Sequence, residues 1–156
     1  MKMNPTQENR TNAALQNQLN TQLANWSVLG VKLHAYHWFV KGPQFFTLHK
    51  KFEELYGAAA GYTDELAERL LAIGGTPAAS MSQYLQLASV KEYSGPMTAE
   101  EMTADLASDF RTIAAQLSAG IVEAGQEGDE PSGDLLTGMK AEVEKQAWML
   151  ESFSGR

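Results

Sequence analysis

The sequence predicts an all-α fold, a four-helix bundle in which a long crossover containing a short helix joins two helical hairpins. Three observations predict it. Apolar residues recur every three or four positions along most of the 156-residue chain, Gly-Pro and Gly-Gly pairs interrupt this pattern, and no stretch alternates as a strand does. We expect one domain over residues 1–156, with a short flexible tail at about residues 1–6.

Two long apolar stripes predict the first hairpin. The stripe at residues 15–40 belongs to a helix that starts near Pro5 and ends at Gly42-Pro43. A second helix runs over about residues 44–73, where Gly74-Gly75 ends it. The turn between the two helices is short, so we expect them to pack side by side and antiparallel.

The second half of the chain predicts the crossover and the second hairpin. The periodicity weakens over residues 77–97, where residues 80–88 have room for one or two helical turns within a long connection. A capping box at residues 98–101 opens the third long helix. A turn rich in glycine and acidic residues at 125–133 precedes the last helix, whose apolar stripe covers 136–153.

Composition excludes several classes of function. With 12 basic and 19 acidic side chains, the formal charge is −7, which disfavours DNA phosphates as a partner and favours cations. The absence of cysteine excludes disulfides and thiolate chemistry, and leaves His, Asp and Glu as metal ligands that suit iron or manganese. There is no apolar run of membrane-spanning length, and residues 1–19 lack the apolar segment of a signal peptide. We therefore expect a cytoplasmic protein.

All three histidines lie close together in the sequence, within sixteen residues. His37 and His49 each stand six residues from Pro43 at the hairpin tip, so the antiparallel packing places them at the same height. Glu53 follows His49 by four positions and shares its helix face, and His34 precedes His37 by one turn. These side chains form a candidate N/O cluster at one end of the hairpin.

A second pair of candidate ligands, Asp64 and Glu68, lies further along the same helix. From Glu53 to Asp64 the helical rotation is about 20° after whole turns, and the rise is roughly 16 Å. Metal ligands lie about 2 Å from their ion. The two groups therefore share a face but cannot bind one metal within a single chain.

Two chains could complete such a site. If two copies of the second helix pack antiparallel about a twofold axis, His49 and Glu53 of one copy approach Asp64 and Glu68 of the other. The axis then passes through residues 57–61, a Gly-Ala-Ala-Ala-Gly run whose small side chains permit close approach.

Each feature also has a plainer explanation. An i,i+4 acid pair is often a solvated face, and Arg69 stands beside Asp64 and Glu68 as an ordinary ion-pair partner. Histidines in a hairpin often serve packing, and alanines at 57–61 favour any helix. From spacing alone, a metal site and a structural bundle both remain open.

The motifs resemble those of Dps-type miniferritins, a ferritin-like family, and above all its Gram-positive members. The segment Lys32-Leu-His-Ala-Tyr-His-Trp-Phe-Val-Lys-Gly-Pro, continuing through Phe46-Thr-Leu-His49, carries the resemblance. So do Asp64-Glu-Leu-Ala-Glu68-Arg with Ala72-Ile-Gly-Gly-Thr-Pro after it, and Lys145-Gln-Ala-Trp-Met-Leu. The similarity covers most of the chain.

The resemblance implies a hollow shell of twelve identical subunits with ferroxidase sites at its twofold interfaces. His37 and His49 come from one subunit and Asp64 and Glu68 from its neighbour, while Glu53 is a ligand or an iron-nucleating group. Each site takes two irons or has mixed occupancy. Iron(II) is oxidised, preferably by hydrogen peroxide, and stored as ferric mineral, which protects against oxidative stress.

The resemblance gives other residues lesser roles. Trp38 lies near the site, where it accepts an oxidising equivalent or serves as a core or interface anchor. Asp129 and Asp134 line pores that admit iron, or complement the dipole of the last helix. Lys50 stands where relatives often carry an acid, which weakens mineral nucleation, and His34 has only a minor claim to touch metal.

Two rival functions remain. Some family members bind DNA through Lys-rich tails, but here the N-terminal segment offers only Lys2 and Arg10, opposed by Glu8, and the C-terminus only Arg156. We therefore expect no DNA binding. The other rival is a purely structural bundle, in which the histidines have no chemical role.

Overall fold

The chain folds into five helices, as a computed structural model that describes residues 13–155 shows. They are α1 (Ala13–Phe39), α2 (Phe45–Ala72), α3 (Met81–Leu87), α4 (Ala99–Gln126) and α5 (Glu130–Phe153). Between residues 13 and 155 there is no strand, and no helix there is long and apolar enough to span a membrane. The predicted all-α bundle is confirmed. The predicted tail and the start of α1 near Pro5 lie outside the described residues.

The bundle consists of two hairpins, α1 with α2 and α4 with α5, and α1 also packs against α3 and α4. All eight residues of the predicted α1 stripe are buried: Leu15, Leu19, Leu23, Trp26, Leu29, Leu33, Tyr36 and Val40. The stripes of α4 and α5 are buried too, with two exceptions. Ile121 is only half-buried, and Phe153 is 41% exposed at the end of α5.

The turn between α4 and α5 is shorter than the predicted 125–133. The helix α4 continues to Gln126 and α5 begins at Glu130. Gly128, with φ at +69°, makes the left-handed turn, and the side chain of Asp129 caps α5 by accepting from the N–H of Ser132. Residues 127–129 are enough to reverse the chain, because the Asp129 side chain accepts from a backbone N–H in the first turn of α5. The capping box of Thr98 and Glu101 at the start of α4 is confirmed.

Asparagine side chains of α1 hold the crossover against the bundle. Asn20 donates to the carbonyl of Thr76 (3.1 Å) and accepts from the N–H of Ala78 (2.8 Å). Asn25, fully buried, accepts from the N–H of Ser89 (2.7 Å). These bonds satisfy backbone groups that a loop of this length leaves unpaired. The short helix α3, predicted at 80–88, lies between the two anchors.

A buried charge cluster of Lys32, Tyr36, Asp105 and Asp109 joins α1 to α4. Lys32 is 1% exposed, and its Nζ lies 2.9 Å from Asp105 and 2.5 Å from Asp109. The hydroxyl of Tyr36 donates to Asp105 at 2.6 Å. Burial raises the pKa of Asp109, and the Lys32 ammonium opposes that shift. The apolar periodicity did not predict this cluster, since Lys32 has the ordinary pattern of a surface residue.

Candidate metal centre

His37 and His49 meet at the tip of the α1–α2 hairpin. The imidazole rings stack with centroids 3.7 Å apart and planes 10° from parallel. The Nδ1 of His37 donates to the backbone carbonyl of His49 (2.5 Å), and the Nδ1 of His49 donates to the carbonyl of His37 (2.7 Å). A carbonyl oxygen only accepts, so each Nδ1 carries a proton, and in the neutral ring each Nε2 then keeps a free lone pair. Metal-ligating histidines are commonly oriented in this way.

Aromatic side chains of α2 hold the two rings in place. Phe45 stacks on His49 with centroids 4.9 Å apart, and Tyr56 meets the ring of His37 edge-on at 5.4 Å. Both histidines are half-buried as a result. Phe45 and Tyr56 were not recognised in the sequence. Phe45 lies four residues before His49 and Tyr56 seven after it, so both share its helix face. This spacing could have predicted their contact with the histidine rings.

The carboxylates predicted as ligands are exposed. Glu53 lies one turn beyond His49, and Asp64 and Glu68 lie near the other end of α2. Within residues 13–155 no three His, Asp or Glu side chains come together to hold a metal. We call His37, His49 and Glu53 the histidine half of the site, and Asp64 and Glu68 the carboxylate half. The structure brings His37 and His49 together and leaves the two halves apart in one chain.

Arg69 does not neutralise the carboxylate half. Its guanidinium turns to the opposite hairpin, where it binds Asp129 (3.0 Å) and the hydroxyl of Ser132 (2.8 Å). No ion pair in the described part of the chain involves Asp64 or Glu68. The surface ion pair that offered a plainer explanation for these acids is therefore absent from the described structure.

Between the two halves, α2 presents an exposed surface of small residues. Gly57, Ala58, Ala60 and Gly61 are exposed, and only Ala59 turns into the core. A Cβ added at either glycine meets nothing within 4 Å. The middle of α2 is therefore bare in the single chain, which gives another helix room to pack closely against it.

Comparison with known proteins identifies the family. A model described as "Ferritin-like domain" matches residues 16–156. General stress protein 20U of Bacillus subtilis is 52% identical over 137 residues, 88% of this chain and 94% of that protein. DNA protection during starvation protein 2 of Bacillus anthracis is 51% identical over 135 residues, 86% of this chain and 92% of that protein. The chain belongs to the Dps-type miniferritins.

Solved structures agree with this assignment. The Dps of Staphylococcus aureus is 47% identical, with a TM-score of 0.89 over 90% of this chain and 94% of its own. A Dps protein from Bacillus brevis is 44% identical, with a TM-score of 0.91 over 98% and 99%. These relatives come from Gram-positive bacteria, as the motifs implied.

Trp38 of this miniferritin is not a core residue, which corrects one of its predicted roles. Its side chain is 65% exposed, because it follows His37 on the outer face of α1. His34 lies inward of it, with ring centroids 5.6 Å apart. The ring of His34 stacks on Tyr56 at 3.9 Å, and its Nδ1 donates to the carbonyl of Gly30 at 2.6 Å. His34 therefore packs beside the histidine half.

The two predicted pore residues differ in their surroundings. Asp129 is engaged within the chain: although partial burial works against ionisation, hydrogen bonds from Ser132 and the charge of Arg69 hold its pKa below the ordinary value. Asp134 is exposed and has no ion pair among residues 13–155. Lys50, beside His49, is also exposed.

The tail residues that bear on DNA binding, Lys2, Glu8, Arg10 and Arg156, lie outside the described residues. The expectation that this miniferritin does not bind DNA therefore stays a prediction.

Proposed function

We propose that this miniferritin oxidises iron(II) at sites shared between two subunits and stores the ferric product inside a shell of twelve subunits. Hydrogen peroxide is the preferred oxidant, and the protein acts in the cytoplasm. Consuming iron(II) and peroxide together prevents the formation of hydroxyl radicals. The protein would thus store iron and protect the cell against oxidative stress.

The observation that carries the proposal is the reciprocal hydrogen bonding of His37 and His49. Each backbone carbonyl fixes the other ring as the Nδ1–H tautomer, so both Nε2 lone pairs are free for a cation. A packing role alone needs no such tautomer control. Imidazole and carboxylate ligands together suit iron(II), and carboxylates also stabilise iron(III).

A second subunit supplies what the histidine half lacks. With two copies of α2 antiparallel across the small residues 57–61, Asp64 and Glu68 of the neighbour come to His37 and His49. An isologous contact forms two such sites at once. Each site takes two irons or has mixed occupancy, and Glu53 is a further ligand or a residue that nucleates the mineral.

The proposed chemistry balances without another reactant. Each of two iron(II) ions gives one electron to a peroxide molecule, and the O–O bond breaks. The resulting oxygens, with water, form ferric oxyhydroxide and release protons. The exposed carboxylate of Asp134, and the net charge of −7, attract iron(II) to the shell.

The test is anaerobic iron(II) oxidation by added peroxide, followed by stopped flow, with the oligomer sized in parallel. We expect the His37→Ala, His49→Ala double variant to assemble but to lose the fast phase. The matched control changes two exposed residues at the same hairpin end, Gln44→Ala with Thr47→Ala, and should keep it. Equal slow rates in all three proteins would favour the purely structural bundle.

DNA protection is the second candidate, because relatives from Bacillus anthracis and Brevibacillus brevis carry that name. Protection by removing iron and peroxide needs no contact with DNA. The acidic composition and the two cations near the N-terminus, Lys2 and Arg10, favour that indirect route. A mobility shift of DNA at low salt, without magnesium, would instead support direct binding.

A further inference from the structure

A partly open cavity of about 180 Å³ extends between the long helices, away from the histidine pair. All four long helices contribute to it, with Trp26 from α1, Tyr62 from α2, Phe110 from α4, and Glu142 and Gln146 from α5. Roughly 10–15 Å³ of such volume admits one water molecule. The cavity therefore has room for a small molecule.

Two buried polar atoms beside this cavity have no hydrogen-bond partner among the described residues: the indole Nε1 of Trp26 and the amide Oε1 of Gln146. Trp26 is only 2% exposed, so bulk water does not reach its N–H. Buried polar groups nearly always have partners. The cavity is the unfilled space that both side chains line, so their partner belongs there.

The orientation of the Gln146 amide follows from its neighbour. Its Nε2 donates to a carboxylate oxygen of Glu142 at 2.9 Å. The flipped amide would place oxygen against oxygen, so the carbonyl must be the unpartnered group. The site thus offers one donor, from Trp26, and one acceptor, from Gln146.

Most of the remaining walls are apolar or aromatic, and the exposed carboxylate of Glu54 joins that of Glu142 in the lining. The ring of Trp26 packs against Tyr62 at 4.7 Å and against Phe110 at 5.8 Å.

These groups select the charge of the ligand. A bare cation cannot accept the hydrogen bond that the Trp26 indole offers, and the carboxylates of Glu54 and Glu142 repel an anion. We propose that this cavity is a binding site for a small neutral molecule with O–H groups, which accepts from Trp26 and donates to Gln146. Water and hydrogen peroxide share this chemistry. The assignment of hydrogen peroxide as the ligand rests on the proposed function, because peroxide is the oxidant that the proposed ferroxidase consumes.

The site is distinct from the histidine half, whereas its Tyr62 stands two residues before Asp64 of the carboxylate half on α2. Trp26 precedes His37 by eleven residues on α1, roughly 16 Å along the axis. Peroxide bound there would be held within the subunit, apart from His37 and His49.

Fluorescence of Trp26 in the metal-free full chain tests the peroxide arm. A Trp38→Phe, Trp148→Phe variant leaves Trp26 as the only tryptophan, and gel filtration checks its assembly. Adding hydrogen peroxide should change the emission with saturation, and catalase should reverse the change. The response should disappear when Gln146→Leu is added. The matched control keeps only Trp148, 60% exposed, which should show linear collisional quenching.

A crystal structure of the unaltered metal-free protein tests the water arm and needs no variant to fold. An ordered oxygen that bridges Trp26 Nε1 and Gln146 Oε1, with only linear quenching by peroxide, identifies water as the ligand and supports the site. Linear quenching together with a cavity that lacks bridging density overturns the proposal. Neither result depends on iron oxidation, so failure here and failure of the ferroxidase are separable.

Discussion

The last turns of α1 carry two polar clusters on different faces, and they are built differently. In the buried charge cluster, Lys32 meets both Asp105 and Asp109 within the same chain. In the histidine half, His37 and His49 use their Nδ1 atoms on backbone carbonyls and keep two Nε2 lone pairs without a partner among residues 13–155.

Whether a cluster is complete within one chain separates a structural role from a chemical one in this bundle. A closed cluster balances its own charge, and removing one member leaves a buried charge uncompensated. An open cluster lacks nothing that folding requires, so its free lone pairs are available for a ligand. We expect substitutions in the closed cluster to lower stability, and substitutions in the open cluster to remove activity.

The largest expected effect comes from mixing two inactive variants. One lacks the histidine half (His37→Ala, His49→Ala) and the other the carboxylate half (Asp64→Asn, Glu68→Gln). In the proposed assembly, random co-assembly of equal amounts makes half of the twofold interfaces mixed, and one of the two sites in each mixed interface is intact. We therefore expect about a quarter of the wild-type fast oxidation to return.

Stopped flow on the mixed shells measures this recovery, with each variant alone as the baseline. Shells blended after assembly, without subunit exchange, are the control and should stay inactive. If co-assembled shells also stay inactive although mass spectrometry shows mixed subunits, the two halves do not meet between chains.

The next largest effect is on stability. Lys32→Met keeps the length of the side chain but leaves Asp105 and Asp109 without their cation. We expect a loss of about 3–5 kcal/mol in the free energy of unfolding. Urea unfolding at fixed subunit concentration measures it, and Lys91→Met, at an exposed lysine, is the control.

The pH dependence of that loss follows from Asp109. Burial raises the pKa of Asp109 above the ordinary 3.8, so the folded state favours the protonated carboxyl. The stability that this preference adds is fully present below pH 3.8 and is lost as the pH rises through the raised pKa. In Lys32→Met the penalty should therefore shrink as the solution is acidified towards the carboxyl range. A penalty that does not depend on pH would mean that lost packing, not buried charge, causes it.

A smaller effect distinguishes the two pore candidates. Asp129→Ala removes a helix cap that also binds Arg69, and we expect it to cost about 0.5–2 kcal/mol at neutral pH. Because the pKa of Asp129 is lowered, its stabilisation is present above 3.8 and is lost as the pH falls through the lowered value. The free energies of unfolding of the variant and the wild type, measured with urea, should therefore converge in acid.

Asp134→Ala is the matched change at an exposed position of the same helix. We expect it to alter stability by less than about 0.5 kcal/mol and to slow the uptake of iron into assembled shells. Unchanged uptake in both variants would remove the pore role from this end of α5.

The fold was predictable because its signals are local. The apolar stripe of α1, the Gly42-Pro43 turn and the capping box at Thr98 each specify a helix or its end within a few residues. The buried charge cluster was not predictable, since Lys32 meets Asp105 and Asp109 only after α1 packs on α4. Burial of a charge depends on a distant segment, which periodicity does not encode.

The candidate site was predictable in part for the same reason. Equal spacing from Pro43 placed His37 beside His49, and the structure bears this out. The reciprocal bonds to backbone carbonyls were not predictable, because they depend on ring rotamers. Nor did the sequence show that Arg69 turns away from the carboxylate half to Asp129, which again requires a distant helix.

His34 stands between the two clusters and gives the smallest expected effect. It stacks on Tyr56, and its Nδ1 bonds within α1, so we assign it to packing. His34→Phe keeps the stacking and removes the Nε2 lone pair. We expect peroxide-driven iron oxidation to change by less than about twofold, equivalent to roughly 0.4 kcal/mol in the barrier. His34→Ala, which loses the ring, should lower thermal stability instead. If His34→Phe instead loses the fast phase as severely as His37→Ala does, His34 is a metal ligand and belongs to the histidine half.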